Sequence, residues 1–409
     1  MINPWLEQRL FQLPLRPLLI ETELGEAQTV ANLFAREGIE PRAVNRLFSL
    51  VATPPIPAKW IRAISGLPGV RTVHADQEFN ILQLPLVEDP ADWWATSDSR
   101  RLLGAEDAFL AGFTGEAHRV AIIDTGVDPS HEQLMGAEFE STIMVPREPG
   151  IDAGPQASGH GSHVASTAAG RQQLTPVQVF VEGVSRAPIL SVQCLGRVVG
   201  TGFSHEIVNA VSLAFERGVR IFNLSLGAQE CQGTCETCPE CRVIRTLTQR
   251  GAVFVIAAGN SGPQPNTIAC PGCVQEAITV AAVDRRGRVA SFSSRGGVRF
   301  SGKPDVAAPG VNIYSGTGRA SQVDLGDPGA SAGYAAISGT SMATPHVAGL
   351  VALLRHRNPS LSAQDFKDVM RRRGGFNPNT GWGVPHWNMF SGTQRTNAPA
   401  ARGSNQRRR

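Results

Sequence analysis

No run of 18 apolar residues occurs anywhere in the 409-residue chain, so no membrane-spanning helix is expected. The opening Met1-Ile-Asn-Pro-Trp-Leu-Glu lacks a basic start followed by an apolar stretch. Leu13 to Ile20 is short and broken by Pro14, Arg16 and Pro17, so no classical signal peptide is expected either. The expectation is a soluble protein with no membrane partner, cytoplasmic or exported by a non-classical route. Charge of one sign is also missing. The net charge of +3 is spread along the sequence, and only Arg402 to Arg409 concentrates it, which argues against nucleic acid as a partner. There is no internal repeat and no sizeable low-complexity segment, which excludes solenoids and fibres. What remains, 42% hydrophobic and 18% charged, is a chain able to bury a large core.

Punctuation by Pro85 and Pro90 between Leu84 and Ser99 reads as an extended linker and divides the chain. Before it, the pattern predicts a strand (Pro17 to Glu23), a helix (Ala27 to Glu37), a strand (Ala43 to Ala52), a helix (Pro57 to Ile64) and a strand (Val70 to His74), a small α+β unit. After it come short β-branched runs such as Val120-Ala-Ile-Ile, Ile189-Leu-Ser-Val, Val219-Arg-Ile-Phe, Val253-Phe-Val-Ile and Ala277-Ile-Thr-Val, suited to strands buried on both faces. Helical stretches at His160 to Gly170, Ser204 to Arg217 and Arg242 to Arg250 separate several of them, which predicts an α/β fold around a mostly parallel sheet. The expected organisation is residues 1–83, a linker over 84–98, a main domain over 99–392, and a disordered basic tail over 393–409.

Four motifs carry chemistry. In Ile122-Ile-Asp-Thr-Gly-Val-Asp128 a buried strand ends on Asp124, where open α/β sheets bind ligands. Gly159-His-Gly-Ser-His-Val-Ala165 sets His160 at the start of an Ala-rich helix, flanked by glycines that leave its imidazole approachable. His163, on the same helix, reads as a packed or hydrogen-bonded histidine. In Ser338-Gly-Thr-Ser-Met-Ala-Thr-Pro-His-Val-Ala-Gly349, Pro345 fits only near a helix start, so Ser341 sits at the positive end of a helix dipole with backbone N–H groups beside it. Val255-Ile-Ala-Ala-Gly-Asn-Ser-Gly262 ends another buried strand on Gly259 and Asn260. Taken singly, each is an ordinary cap or turn. Together, four such pieces at the carboxyl ends of one sheet would be an unlikely accident, with His160 placed as a base and Ser341 as a nucleophile.

In Asp-Thr-Gly, His-Gly-Ser-His-Val-Ala, Ala-Ala-Gly-Asn and Gly-Thr-Ser-Met-Ala-Thr-Pro-His, and in their Asp, His, Ser order, residues from about Ser99 to Phe390 resemble the subtilisin-like serine peptidase family. The resemblance implies a three-layer subtilisin-like fold and a serine endopeptidase acting on peptide or protein substrates, with catalytic Asp124, His160 and Ser341 and oxyanion donor Asn260. It implies substrate contacts at Gly200, Thr201, Gly202, Ser225, Leu226, Gly227, Ala228 and Gly259, and small Gly227 and Ala228 suggest a roomy first pocket for a large apolar side chain. The N-terminal α+β unit resembles the ferredoxin-like propeptide of that family. It would make the chain a self-inhibited zymogen, its own N-terminal domain acting as inhibitory partner, with Gln77 to Leu82 in the cleft and cleavage between Leu82 and Ser99. A silent or gated binding protein on a protease fold, or a peptide ligase or macrocyclase using the same three residues, are the alternatives.

No cofactor is needed for this chemistry. The family's frequent calcium position, nine residues after the catalytic Asp, is Gln133 here, and the loop Gly170-Arg-Gln-Gln-Leu-Thr-Pro-Val177 offers few oxygen ligands, which argues against calcium. Six of the seven cysteines fall in two groups, Cys231, Cys235, Cys238 and Cys241, then Cys270 and Cys273. Cys238-x₂-Cys241 with Cys270-x₂-Cys273 has the spacing of a four-cysteine zinc knuckle, with Cys231 and Cys235 as alternative ligands or a disulfide. Structural zinc, disulfides and free thiols stay open. An iron–sulfur cluster is weaker, because the Cys-x₃-Cys-x₂-Cys spacing here lacks the barrel context of radical enzymes. Cys194 is expected in a strand as a buried apolar residue.

Overall fold

The computed structural model describes residues 1–9, 15–81, 93–143, 148–154, 156–231, 234–321 and 333–391. Much of the expected linker and all of the basic tail lie outside them. The N-terminal unit runs β1 (Leu15–Thr22), α1 (Ala27–Arg36), β2 (Ala43–Asn45), β3 (Leu50–Pro57), α2 (Ala58–Ser65) and β4 (Val70–Ala75), a βαββαβ order. Its antiparallel strands lie in the order β2-β3-β1-β4. The run expected as one strand over Ala43 to Ala52 is instead a hairpin, because the chain reverses at Ser49, a non-glycine residue with φ 54°. Alternation along β1 explains how this unit docks. Leu18 and Ile20 enter its own core with Val30, Phe34 and Ile61, while Leu19 on the opposite face joins a core of the main domain.

The unit ends in β5 (Glu78–Ile81), and the main domain is built on β6 (Val120–Asp124), β7 (Glu138–Ser141), α3 (His160–Ala169), β8 (Ile189–Gln193), β9 (Thr201–Phe203), α4 (Ser204–Glu216), β10 (Ile221–Leu224), β11 (Leu226–Gly227), α5 (Pro239–Gln249), β12 (Val253–Ala257), β13 (Ile278–Val283), β14 (Val306–Pro309) and α6 (Thr340–Arg357). Seven strands form one sheet in the order β14-β13-β12-β10-β6-β8-β7, and every neighbouring pair is parallel. Both faces are covered, as the apolar runs require. Val120 and Ile122 point into the core shared with Val164 of α3 and Val347 of α6, while Ala121 and Ile123 point into the core shared with Val208 of α4 and Ile244 of α5. The fold is three-layered α/β.

Helix α5 starts at Pro239, three residues before the expected Arg242, because proline lacks the N–H that a first helical residue leaves unpaired. Cys194 lies just past the end of β8 rather than in a strand, and it is fully buried there. Among the described residues, no helix is long and apolar enough to cross a membrane.

Candidate active site

Asp124 is the last residue of β6, and the chain leaves it through Thr125 and Gly126. At Gly126 φ is +108°, and a Cβ would lie 2.5 Å from the carbonyl oxygen of Gly150, so only glycine permits the turn. Asp124 Oδ1 accepts hydrogen bonds from its neighbour's N–H (Thr125, 2.8 Å) and from His160 Nδ1 (2.7 Å). His160 is the first residue of α3. The flanking glycines serve packing more than access. A Cβ at Gly161 would stand 2.2 Å from the carbonyl oxygen of Gly126, and His160 itself is fully buried.

Ser341 is the second residue of α6, also buried. Its Oγ donates to the carbonyl oxygen of Ser225 at 3.0 Å, and Ser225 Oγ donates back to the carbonyl oxygen of Ser341 at 2.8 Å. His160 Nε2 has no hydrogen-bond partner among the described residues. Asn260 follows β12 and Gly259, and its Oδ1 accepts from Thr340 N (3.0 Å) and Thr340 Oγ1 (2.9 Å), which fixes the amide so that Nδ2 faces away from Thr340. Gly259 N donates to the same hydroxyl at 3.1 Å. Carboxylate, imidazole, hydroxyl and amide therefore meet at the carboxyl ends of the sheet strands.

The structure joins the two expected cleft segments through the N-terminal unit. Strand β5 lies between β9 and β11, antiparallel to both, pairing Thr201 with Asn80, Gly202 with Phe79, and Leu226 with Ile81. Ile81 N donates to the carbonyl oxygen of Gly200 at 2.8 Å. A Cβ on Gly200 would stand 2.6 Å from the Ile81 side chain, so glycine is what lets the two chains approach. Phe79 is fully buried in the main-domain core, a contribution of about 1.5–3 kcal/mol to holding the segment there. Ala228, one residue past β11, pairs backbone to backbone with Cys270.

Charged contacts flank this strand. Asp76 accepts from His205 N (3.1 Å) and sits 2.5 Å from His205 Nδ1 at the start of α4. Glu21 bonds Arg242 of α5 at 2.5 Å and lies 3.6 Å from His74 Nε2. Burial opposes charge on Glu21, but the His74 and Arg242 contacts outweigh it and hold the carboxyl down at about 2.

Sequence reasoning missed Asp152, which has no motif around it. Fully buried, it accepts from Gly159 N (2.8 Å) and Thr125 Oγ1 (2.9 Å), tying the loop after Asp124 to the start of α3. Burial pushes its carboxyl up to about 7 against those hydrogen bonds, and the charge of Asp124 adds to the push. His163 bonds the carbonyl oxygen of Ile313 at 2.9 Å and is lowered by burial to about 3, a neutral packed histidine. Gln133 spends both ends of its amide on backbone, Nε2 on the Arg171 oxygen and Oε1 on the Gly316 N–H.

Six cysteines converge between the start of α5 and the Cys270 to Cys273 turn. Cys235 and Cys273 are joined by a disulfide, and Cys231, Cys238, Cys241 and Cys270 are free and buried. The four sulfurs that lie within 4.8 Å of one another belong to Cys231, Cys241, Cys270 and Cys273. Cys238, one of the four expected from spacing, is the N-cap residue of α5, and its sulfur lies 2.6 Å from Glu240 Oε2 and 3.5 Å from Cys270 Sγ.

A seven-stranded parallel sheet carrying this hydroxyl, imidazole and carboxylate at one edge, beside two strands open to an extended chain, is the architecture of a serine protease. The chain belongs to the subtilase family, whose model matches residues 115–385. It is 35% identical over 301 residues to M-protease of Shouchella clausii (strain KSM-K16), covering 73% of this chain and 67% of that one. To Subtilisin Savinase of Lederbergia lenta it is 34% identical over 301 residues, covering 73% of this chain and 95% of the relative. Its fold is similar to that of fervidolysin from Fervidobacterium pennivorans, described as a keratinolytic enzyme related to subtilisin, with a TM-score of 0.72 and 20% identity over 92% of this chain and 60% of that one.

Proposed function

We infer that this serine endopeptidase works through Asp124, His160 and Ser341 and is made as a self-inhibited zymogen whose residues 1–83 are the inhibitor. In the first half-reaction His160 Nε2 takes the Ser341 proton as Oγ attacks the scissile carbonyl, then returns it to the departing amine. Asp124, bonded to Nδ1 at 2.7 Å, holds the tautomer that leaves Nε2 free to accept. Asn260 Nδ2 and backbone N–H groups at the start of α6 stabilise the oxyanion. Water, activated by the same imidazole, then hydrolyses the acyl-enzyme.

One observation supports the inhibited state: β5 is strand-paired on both sides, as an extended peptide would be. Hydrolysis needs the Ser341 hydroxyl to turn from the Ser225 oxygen to His160 Nε2, and it needs Glu78–Ile81 to leave. A fluorophosphonate probe tests the reading. It labels the processed protein and leaves Ser341→Ala unlabelled, and labels the full chain only slowly. No labelling once residues 1–82 are removed would sink the catalytic reading, whereas equal labelling of full and processed chains would sink the zymogen. The cut between Leu82 and Ser99 falls largely outside the described residues, and mass spectrometry of the released fragment locates it.

A further inference from the structure

The cysteines are not needed by any step above, yet six of them gather at one spot, five buried and Cys235 half-buried. Their spacing in space has a pattern. The sulfurs of Cys231, Cys241, Cys270 and Cys273 all lie within 4.8 Å of one another, with Cys231 and Cys273 3.1 Å apart, Cys241 and Cys270 3.6 Å, and Cys241 and Cys273 3.8 Å. These separations are far too long for covalent pairs. They lie near the edge of a tetrahedron of sulfurs around one ion, about 3.8 Å when each metal–sulfur bond is about 2.3 Å, with Cys231 and Cys273 having to part slightly. A multi-iron cluster would hold its thiolates wider than this. The Cys235–Cys273 disulfide leaves Cys231, Cys238, Cys241 and Cys270 as thiols packed together out of water.

We propose that, with the Cys235–Cys273 bond reduced, Cys231, Cys241, Cys270 and Cys273 bind one soft divalent cation of the zinc class. A dithiol reductant supplies the first step. It gives two electrons and two protons to the bond, forming the Cys235 and Cys273 thiols, and becomes a disulfide itself. The cation then displaces four thiol protons, one from each ligand. The thiolate centre lies by the N-terminus of α5, whose third residue is Cys241, and the positive end of that helix favours its negative charge. Three separate segments become one unit, namely the loop holding Cys231, helix α5, and the turn from Cys270 to Cys273. Through the paired backbones of Cys270 and Ala228 that unit reaches the end of β11. Through Arg242 it reaches Glu21 of the N-terminal unit.

The full chain carrying Ser341→Ala, which cannot digest itself, is purified under dithiol without oxygen and titrated with cobalt(II) as the probe, followed by zinc competition and elemental analysis. About one ion per chain is expected, with the intense visible bands of tetrahedral thiolate-bound cobalt, displaced by zinc. Cys270→Ser lowers the affinity at least roughly tenfold, since even outer-shell changes cost that much. Cys235→Ser keeps the bands, because that sulfur is not a ligand, and becomes resistant to metal loss on mild oxidation. Absence of cobalt bands and of bound zinc in the reduced parent chain overturns the proposal, a result independent of how Cys270→Ser folds. So does equal loss in Cys235→Ser and Cys270→Ser, or iron with inorganic sulfide in place of a single ion.

Discussion

Ser341 and Ser225 hold one another by crossed hydrogen bonds, the hydroxyl of each donating to the other's main-chain carbonyl at 3.0 and 2.8 Å. The proposed nucleophile is thereby fastened to the segment that leads into β11. Ser225→Ala removes one of the pair and also releases Asn223 Nδ2, which donates to Ser225 Oγ at 3.0 Å. The expected cost is about 1 kcal/mol, roughly a five-fold fall in kcat/KM for the processed enzyme. Steady-state kinetics on a peptide substrate reads it, and an unchanged value would mean that the crossed pair does not position Ser341.

Thr340 holds Asn260 by two donors, so its effect should appear in turnover rather than binding. Thr340→Val keeps the N–H contact and loses the hydroxyl, and kcat is expected to fall about five-fold with KM little changed. Asn260→Ala, which removes the donor outright, is expected to lose roughly 10²–10³ in kcat, the scale known for this donor in subtilisin itself. A Thr340→Val enzyme that loses only KM would place the hydroxyl in substrate binding instead.

Asp152 makes stability depend on pH in an unusual direction. Its carboxyl ordinarily titrates at 3.8 and is raised to about 7 in the fold, so the folded state binds the proton more tightly. Its contribution is full below pH 3.8 and is lost as the pH rises through 7. In a Ser341→Ala background, Asp152→Asn should therefore flatten the fall of the unfolding midpoint between pH 4 and 7, measured in urea. An identical slope in both proteins would show that Asp152 is ionised throughout.

Asp76 and His205 join the N-terminal unit to α4 beside β5, with the Asp76 side chain fully buried. Removing one partner of such a pair costs about 2 kcal/mol or more. In the full chain, Asp76→Asn should speed fluorophosphonate labelling of Ser341 roughly 30-fold by loosening the docked domain. Labelling at the parental rate would mean that release is governed elsewhere, the Glu21–Arg242 contact being the next to change.

The parallel sheet was legible because Val120 to Ile123 and Val253 to Ile256 are apolar at consecutive positions, which only a strand covered on both faces tolerates. The residues at the site were legible for a related reason, since Asp124 and Asn260 stand after such runs, although Pro345 lies inside the helix carrying Ser341, at its sixth residue, rather than in its first turn. The hairpin after β2 was not. Its turn, Arg46-Leu-Phe-Ser, has no glycine, proline or Asn-Gly pair, and hydrogen bonds from Thr22 and Gly25 hold Ser49 at positive φ. Asp152 was invisible because its partners, Thr125 and Gly159, are brought to it by folding alone. Spacing left the roles of the cysteines open. Pairs two residues apart looked equivalent, but in the fold Cys238 lies beside Glu240, and Cys231 gathers with Cys241, Cys270 and Cys273.

Strand β5 meets its neighbours through main-chain hydrogen bonds on both edges. If a substrate enters as Glu78–Ile81 does, both of its edges must be bare over several residues. A helix has spent those groups on itself, and a strand inside a folded sheet has spent them on its neighbours. Cleavage of a protein would then be timed by the local opening of the target, and the sites cut first would be its least protected segments, largely whatever their side chains.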